Sequence, residues 1–117
     1  MATQPLEASV RFQPGMAIID LKGEIDGFGE TVLQAAYDQA GSQKPEAVLL
    51  NFSDVNYINS TGIALIVGLL AQARKARRRV LTCGLSDHYQ HLFTITRLAD
   101  FMTMMPDEAS ALAAANV

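Results

Sequence analysis

Apolar positions along the chain fall into short runs, and most runs are followed by a stretch with helical spacing. Val10 and Phe12, then Met16 to Leu21, read as two strands. Gln13-Pro14-Gly15-Met16 between them suits a tight turn, because proline presets φ and glycine accepts a positive value. An antiparallel hairpin is expected. Lys22 to Gly29 carries three glycines and reads as a loop. Val32, Leu33, Ala36, Tyr37 and Ala40 share one apolar stripe, which predicts a helix from about Glu30 to Ala40. Gly41 ends that helix and Pro45 blocks its resumption.

Ala47 to Phe52 is almost continuously apolar, as a central strand covered on both faces would be. A polar turn follows, and then a second helix from about Thr61 to Arg78. Arg79 to Gly84 reads as the next strand. Asp87 is placed to cap a third helix running through Arg97, with Tyr89, Leu92, Phe93 and Ile95 to Leu98 turned inward. Phe101 to Met105 reads as a short edge strand. Pro106 then starts an alanine-rich helix, Asp107 to Ala115, with acids in its first turn. Helices alternating with short strands predict parallel pairing through right-handed crossovers. The expected fold is α/β: a mixed sheet of about five strands with an N-terminal antiparallel hairpin and about four helices.

The second helix holds the most informative residues. Ile63, Ile66, Val67, Leu70 and Ala73 form its apolar stripe, widened by Leu65 and Leu69. Ala64, Gly68 and Ala71 leave a low-profile strip. That strip fits a helix wedged between sheet and neighbour, or a surface that lets a partner approach closely. Ser60 and Thr61 stand where the helix begins, at the positive end of its dipole and beside unpaired N–H groups. A hydroxyl there can cap the helix or carry a phosphate. Asn59 caps equally well, which leaves Ser60 or Thr61 free for chemistry.

Composition narrows the function. The 117 residues suffice for one core, and 50% hydrophobic against 18% charged residues argues for an ordered chain. A net charge of -3 makes no case for nucleic acid. The first seven residues lack the basic flank and apolar run of a signal peptide. The longest strongly apolar run, Ile63 to Ala71, falls short of the ~20 residues needed to cross a bilayer. One cysteine, Cys83, excludes an internal disulfide framework. A cytoplasmic protein is expected.

Asn51 to Leu65 (NFSDVNYINSTGIAL) resembles the phosphorylation segment of the STAS family, the sulfate-transporter and anti-sigma-factor-antagonist domains. That family shows a strand, an acidic-polar loop and then Asp-Ser-[Ser/Thr/Ala]-Gly-[Ile/Leu]. Leu21-Lys-Gly-Glu-Ile-Asp26 resembles its Gly-Glu-Leu-Asp strand end, and Val80 to Gly84 followed by Leu92, Phe93 and Leu98 resembles its fourth strand and third helix. The resemblance spans about Leu6 to Leu112 and implies one STAS domain over residues 1–117. It makes Ser60 the phospho-acceptor, with Thr61 a second candidate, and puts Asp26 near it. Asn59 departs from the family, which usually has Asp there. The implied partner-binding residues are Asp26, Asn59, Ser60, Thr61, Gly62, Ala64 and Gly68.

The implied activity is a binding switch. The chain would hold an anti-sigma factor that is also a serine kinase, freeing the sigma factor. Phosphorylation would release it, and a serine phosphatase would reset it. A dimer is left open, and no cofactor, metal, membrane or direct nucleic-acid partner is expected. A non-phosphorylated scaffold or subunit, as in a stressosome-like or lipid-transport complex, is the alternative that Asn59 favours.

The other residues point elsewhere less strongly. Arg74, Lys75, Arg77, Arg78 and Arg79 complement a helix C-terminus. Glu24, Asp26 and Glu30 lack the spacing of an EF-hand loop. His88 and His91 have no ligand partners at metal spacing. Met102, Met104 and Met105 suit edge-strand packing, and Cys83 suits a buried strand end. The Ser60 turn is not Gly-x-Ser-x-Gly, so a hydrolase is not expected. Neither Gly-x-x-x-x-Gly-Lys-Ser/Thr nor Gly-x-Gly-x-x-Gly, the glycine-rich nucleotide motifs, is present.

Overall fold

The computed structural model describes residues 4–115. Strands β1 (Glu7–Gln13) and β2 (Met16–Ile25) form the expected hairpin, with Gln13 opposite Met16 and Gly15 at φ +75° in the turn. Strands β3 (Ala47–Ile58), β4 (Arg79–Cys83) and β5 (Thr103–Met105) complete a five-stranded sheet in the order β1-β2-β3-β4-β5. Every pairing after the first is parallel. The parallel steps are joined by helices α1 (Glu30–Gly41), α2 (Ser60–Lys75) and α3 (Asp87–Ile95). Successive crossovers of one hand, all stepping the same way across a sheet, leave their helices on one face. Leu33, Tyr37, Ile66, Leu69 and Phe93 of these helices accordingly pack on Ala17, Ile19, Val48, Leu50 and Phe52 of the sheet. Phe52 and Phe93 meet edge to face, with centroids 6.4 Å apart.

The final helix, α4 (Glu108–Ala115), lies on the opposite face. Ala111 is buried there with Met16, Ile18, Leu49, Leu81 and Cys83. This explains the unbroken apolar run of β3, whose alternate residues serve two separate cores. At the rim of the α4 face, Arg11 joins Asp20 and Glu108 in ion pairs of 2.6 and 2.5 Å. Asn51 Nδ2 donates to Asp20 at 2.8 Å, and the Cys83 thiol faces Asn51 Oδ1 at 3.5 Å. The Arg11 guanidinium holds the Asp20 carboxyl below its ordinary range, against the opposing effect of burial. Burial pushes the Cys83 thiol up to about 11.

Several boundaries differ from expectation. Lys22–Ile25 is strand rather than loop, and β3 continues through the supposed polar turn to Ile58. The two extensions pair with each other through two register shifts. Here many side chains are exposed, so the hydrophobic signal fades while the backbone ladder persists. Gly23, at φ +99°, admits the Gln4 and Pro5 carbonyls, and Glu24 N–H donates to Gln4 O at 2.9 Å. Helix α2 stops at Lys75 because Arg77 takes φ +58°. Ser86, not Asp87, caps α3, its Oγ accepting from Tyr89 N–H. That helix ends at Ile95, whose side chain is exposed rather than turned inward, while Leu98 is buried in a 3-10 turn over Leu98–Phe101 that delays β5 to Thr103.

The basic end of α2 largely serves as tethers. Arg78 donates to the Pro45 and Gly41 carbonyls and to the Tyr37 hydroxyl. Arg79 donates to Ala115 O, and Arg74 lies over the Phe101 ring at 5.5 Å. One polar group lacks a partner: among the described residues, the fully buried Thr82 hydroxyl makes no hydrogen bond.

Candidate functional site at the start of helix α2

Strand β3 ends at Ile58, and the next residue fixes the helix start. Asn59 is extended, with φ −93° and ψ 179°. Its Oδ1 accepts from Gly62 N–H at 2.8 Å, its carbonyl accepts from Ile63 N–H at 2.9 Å, and its N–H donates to Ile25 O at 3.2 Å. The carboxamide thus holds the cap. Ser60 is the first residue of the helix, exposed, and its hydroxyl makes no hydrogen bond among the described residues. Of the two roles open to that hydroxyl, capping is taken by its neighbour.

Two further contacts hold this corner. The Tyr89 hydroxyl, on α3, accepts from Ile58 N–H at 2.8 Å and donates to Ile58 O at 3.3 Å. Gly62 is buried against the Ile25 carbonyl, so closely that a side chain there would overlap it. Gly62, expected among the partner contacts, therefore shapes the site from within.

Asp26 follows Ile25 directly, on the strand that Asn59 and Gly62 touch. Its Oδ1 accepts from Phe28 N–H at 3.0 Å and caps a 3-10 turn, Gly27–Gly29. A Cβ at Gly27 would stand 3.0 Å from the Thr61 methyl. Turn and helix start are therefore packed together, and Asp26, Asn59, Ser60 and Thr61 share one end of the molecule. The ring of Phe28 projects from this turn and is 98% exposed.

Along α2 the outward face is Ser60, Thr61, Ala64, Val67, Gly68, Ala71 and Gln72. Val67 is 44% exposed, not part of the buried stripe as its spacing predicts. The buried stripe is Gly62, Ile66, Leu69, Leu70 and Ala73. A Cβ at Gly68 would have open space around it. The strip of small residues is thus a surface, not a wedge. No charged residue occurs from Ser60 to Ala73.

Sequence reasoning missed two residues here. Tyr89 reads as an inward-facing apolar residue, and nothing local announces what its hydroxyl holds. Phe28 sits between two glycines in an acidic stretch and fits no helical stripe. The three nearby acids divide among three elements: Glu24 in β2, Asp26 at the turn and Glu30 at the first position of α1. His88 is exposed and packs edge-on to the Tyr89 ring at 4.9 Å. Among the described residues no hydrogen bond joins either histidine to Ser60.

The fold and this corner define a small α/β domain, one that presents a serine at the exposed N-terminus of a helix. The chain belongs to the STAS domain family, whose pattern matches residues 7–111. It is 29% identical over 84 residues to the anti-sigma-B factor antagonist of Listeria monocytogenes, covering 72% of this chain and 74% of that one. A crystal structure of an anti-sigma factor antagonist from Mycobacterium paratuberculosis superposes with a TM-score of 0.84, at 19% identity, over 99% of this chain and 98% of that one. The Bacillus cell fate determinant SpoIIAA in its phosphorylated form gives a TM-score of 0.69, at 18% identity, over 91% of this chain and 96% of that one. Among the described residues no helix is long and apolar enough to cross a membrane.

Proposed function

We propose that the protein is a cytoplasmic anti-sigma factor antagonist, a single STAS domain whose binding is switched by phosphorylation at Ser60. One observation carries this reading. The Ser60 hydroxyl is exposed at the head of α2 and takes no part in capping, because Asn59 does that work. A phosphate there costs the fold no hydrogen bond and gains from the helix dipole. It also adds about −1.5 to −2 charges at neutral pH. A partner seated on this end must desolvate that charge, and each ~1.4 kcal/mol of mismatch weakens binding tenfold.

The roles follow from position. Ser60 receives the phosphoryl group, with Thr61 the second candidate. Asp26, Asn59, Ala64 and Gly68 lie on the surface around it. The partners are an anti-sigma factor acting as a serine kinase, which the unmodified chain sequesters, and a serine phosphatase. The kinase supplies the catalysis; among the described residues no base is hydrogen-bonded to Ser60. Asn59 favours a second reading, a scaffold that is never phosphorylated, because a neutral amide stands where the family usually has an acid.

The test is to incubate the chain with ATP and each serine-kinase anti-sigma factor of its host and to locate phosphate by mass spectrometry. One phosphate at Ser60, absent from Ser60→Ala, is expected. Ser60→Ala should still bind the kinase and unfold at the wild-type temperature. Binding without phosphate at Ser60, for every such kinase, would select the scaffold.

A further inference from the structure

We propose that Phe28 is the anchor by which the chain docks on its partner, filling an apolar pocket of the anti-sigma factor kinase rimmed by lysine or arginine. The inference rests on the binding function proposed above and names the residue that supplies its affinity. Phe28 is 98% exposed, on a turn whose Gly27 lies against Thr61 at the head of the outward strip of α2. Ala64, Val67 and Gly68 of that strip are also exposed, so ring and strip together make an apolar surface larger than a lone side chain. The ring is not on a slack loop. Asp26 caps its turn at 3.0 Å, and Gly27 packs against Thr61. An aromatic side chain has only two torsions, and on a fixed turn it loses little freedom on binding, as an anchor should.

Charge beside the ring specifies the partner. The charged residues within four positions of Phe28 are Glu24, Asp26 and Glu30, all acidic, and Asp26 caps the turn that carries it. The outward strip of α2 beside it is uncharged from Ser60 to Ala73. A complementary surface therefore has an apolar socket with cations at its rim, and beyond them a flat uncharged area over Ser60, Ala64 and Gly68. Phosphate on Ser60 would enter the uncharged area, where no cation waits for it. Anchor and switch thus occupy adjoining but different parts of one surface.

The test titrates purified serine-kinase anti-sigma factors of the host against wild-type chain, Phe28→Ala and the pair Asp26→Asn with Glu30→Gln, by calorimetry. Burying a phenylalanine is worth about 1.5–3 kcal/mol, so Phe28→Ala should weaken binding about 10- to 150-fold. Its melting temperature should stay at the wild-type value, because the ring supports nothing in the fold. The acid-neutralised pair should slow association and flatten its dependence on salt. Wild-type and Phe28→Ala affinities within threefold of each other would overturn the anchor while leaving the function standing. So would an effect of Phe28→Ala confined to self-association. Failure of every kinase to bind the wild-type chain would overturn both.

Discussion

Gly62→Ala sets a methyl group against a carbonyl. The new Cβ would overlap the Ile25 oxygen, and its neighbours are the Ile25 carbonyl carbon and Cγ2. Backbone atoms cannot rotate aside, so α2 must move off the end of β2. Overpacking of this kind costs about 1–3 kcal/mol. The shift also strains the Asn59 cap and the Asn59 N–H to Ile25 O bond, each worth about 1 kcal/mol. Alanine's better helix propensity returns about 1 kcal/mol. A net loss of about 2–4 kcal/mol is expected, or a fall of about 8–16 °C in melting temperature for a domain of this size. Gly68→Ala is the matched control. It lies in the same helix, with nothing within 4 Å of its added Cβ, and should gain about 0.5–1 kcal/mol. Urea unfolding followed by circular dichroism reads both variants. Equal losses for the two glycines, or a Gly62→Ala midpoint at the wild-type value, would refute the packing of α2 on β2 described here.

Tyr89→Phe should cost about 1–3 kcal/mol by leaving Ile58 N–H and C=O unpaired, and should lower the rate of Ser60 phosphorylation beyond what the lost stability explains. Kinase assays on chains shown to be fully folded check this. Asp20 is held below its unfolded pKa by Arg11, so its contribution is complete above about pH 4 and disappears as pH falls through the folded value. The stability gap between wild type and Asp20→Asn should shrink below about pH 4; a constant gap down to pH 2 would contradict the pairing. Thr82→Val should stabilise by about 1 kcal/mol, since it replaces an unpartnered buried hydroxyl with a methyl of similar shape. A loss of stability on denaturant unfolding would mean that the hydroxyl has a partner after all.

Most of the fold was legible because its sheet is covered on both faces. The two-sided burial of β3 writes itself as an apolar run, and Pro14-Gly15 announces the hairpin. The element order and the break after the first helix follow directly. The extensions of β2 and β3 were illegible for the complementary reason. Their pairing is made by backbone groups, which every residue carries, while their side chains are largely wet. Val67 deceives because i, i+3 and i+4 spacing marks a face without saying how wide the neighbour is. Within the site, Asn59 and Ser60 could be read from helix-capping chemistry. Tyr89 and Phe28 could not, because one acts on a backbone 31 positions away and the other is notable for what it fails to touch.

Arg11 and Glu108 stand 97 positions apart in the chain, yet they clasp across the rim of the sheet. The helix that carries Glu108 also closes the second core, and it is made after every other described element. The core beneath α1, α2 and α3 can close before the last helix exists, but Met16, Ile18, Leu49 and Leu81 stay wet until it arrives. A premature stop or a proteolytic nick ahead of residue 108 would therefore leave the Ser60 corner formed and one greasy flank bare. Such a fragment would self-adhere.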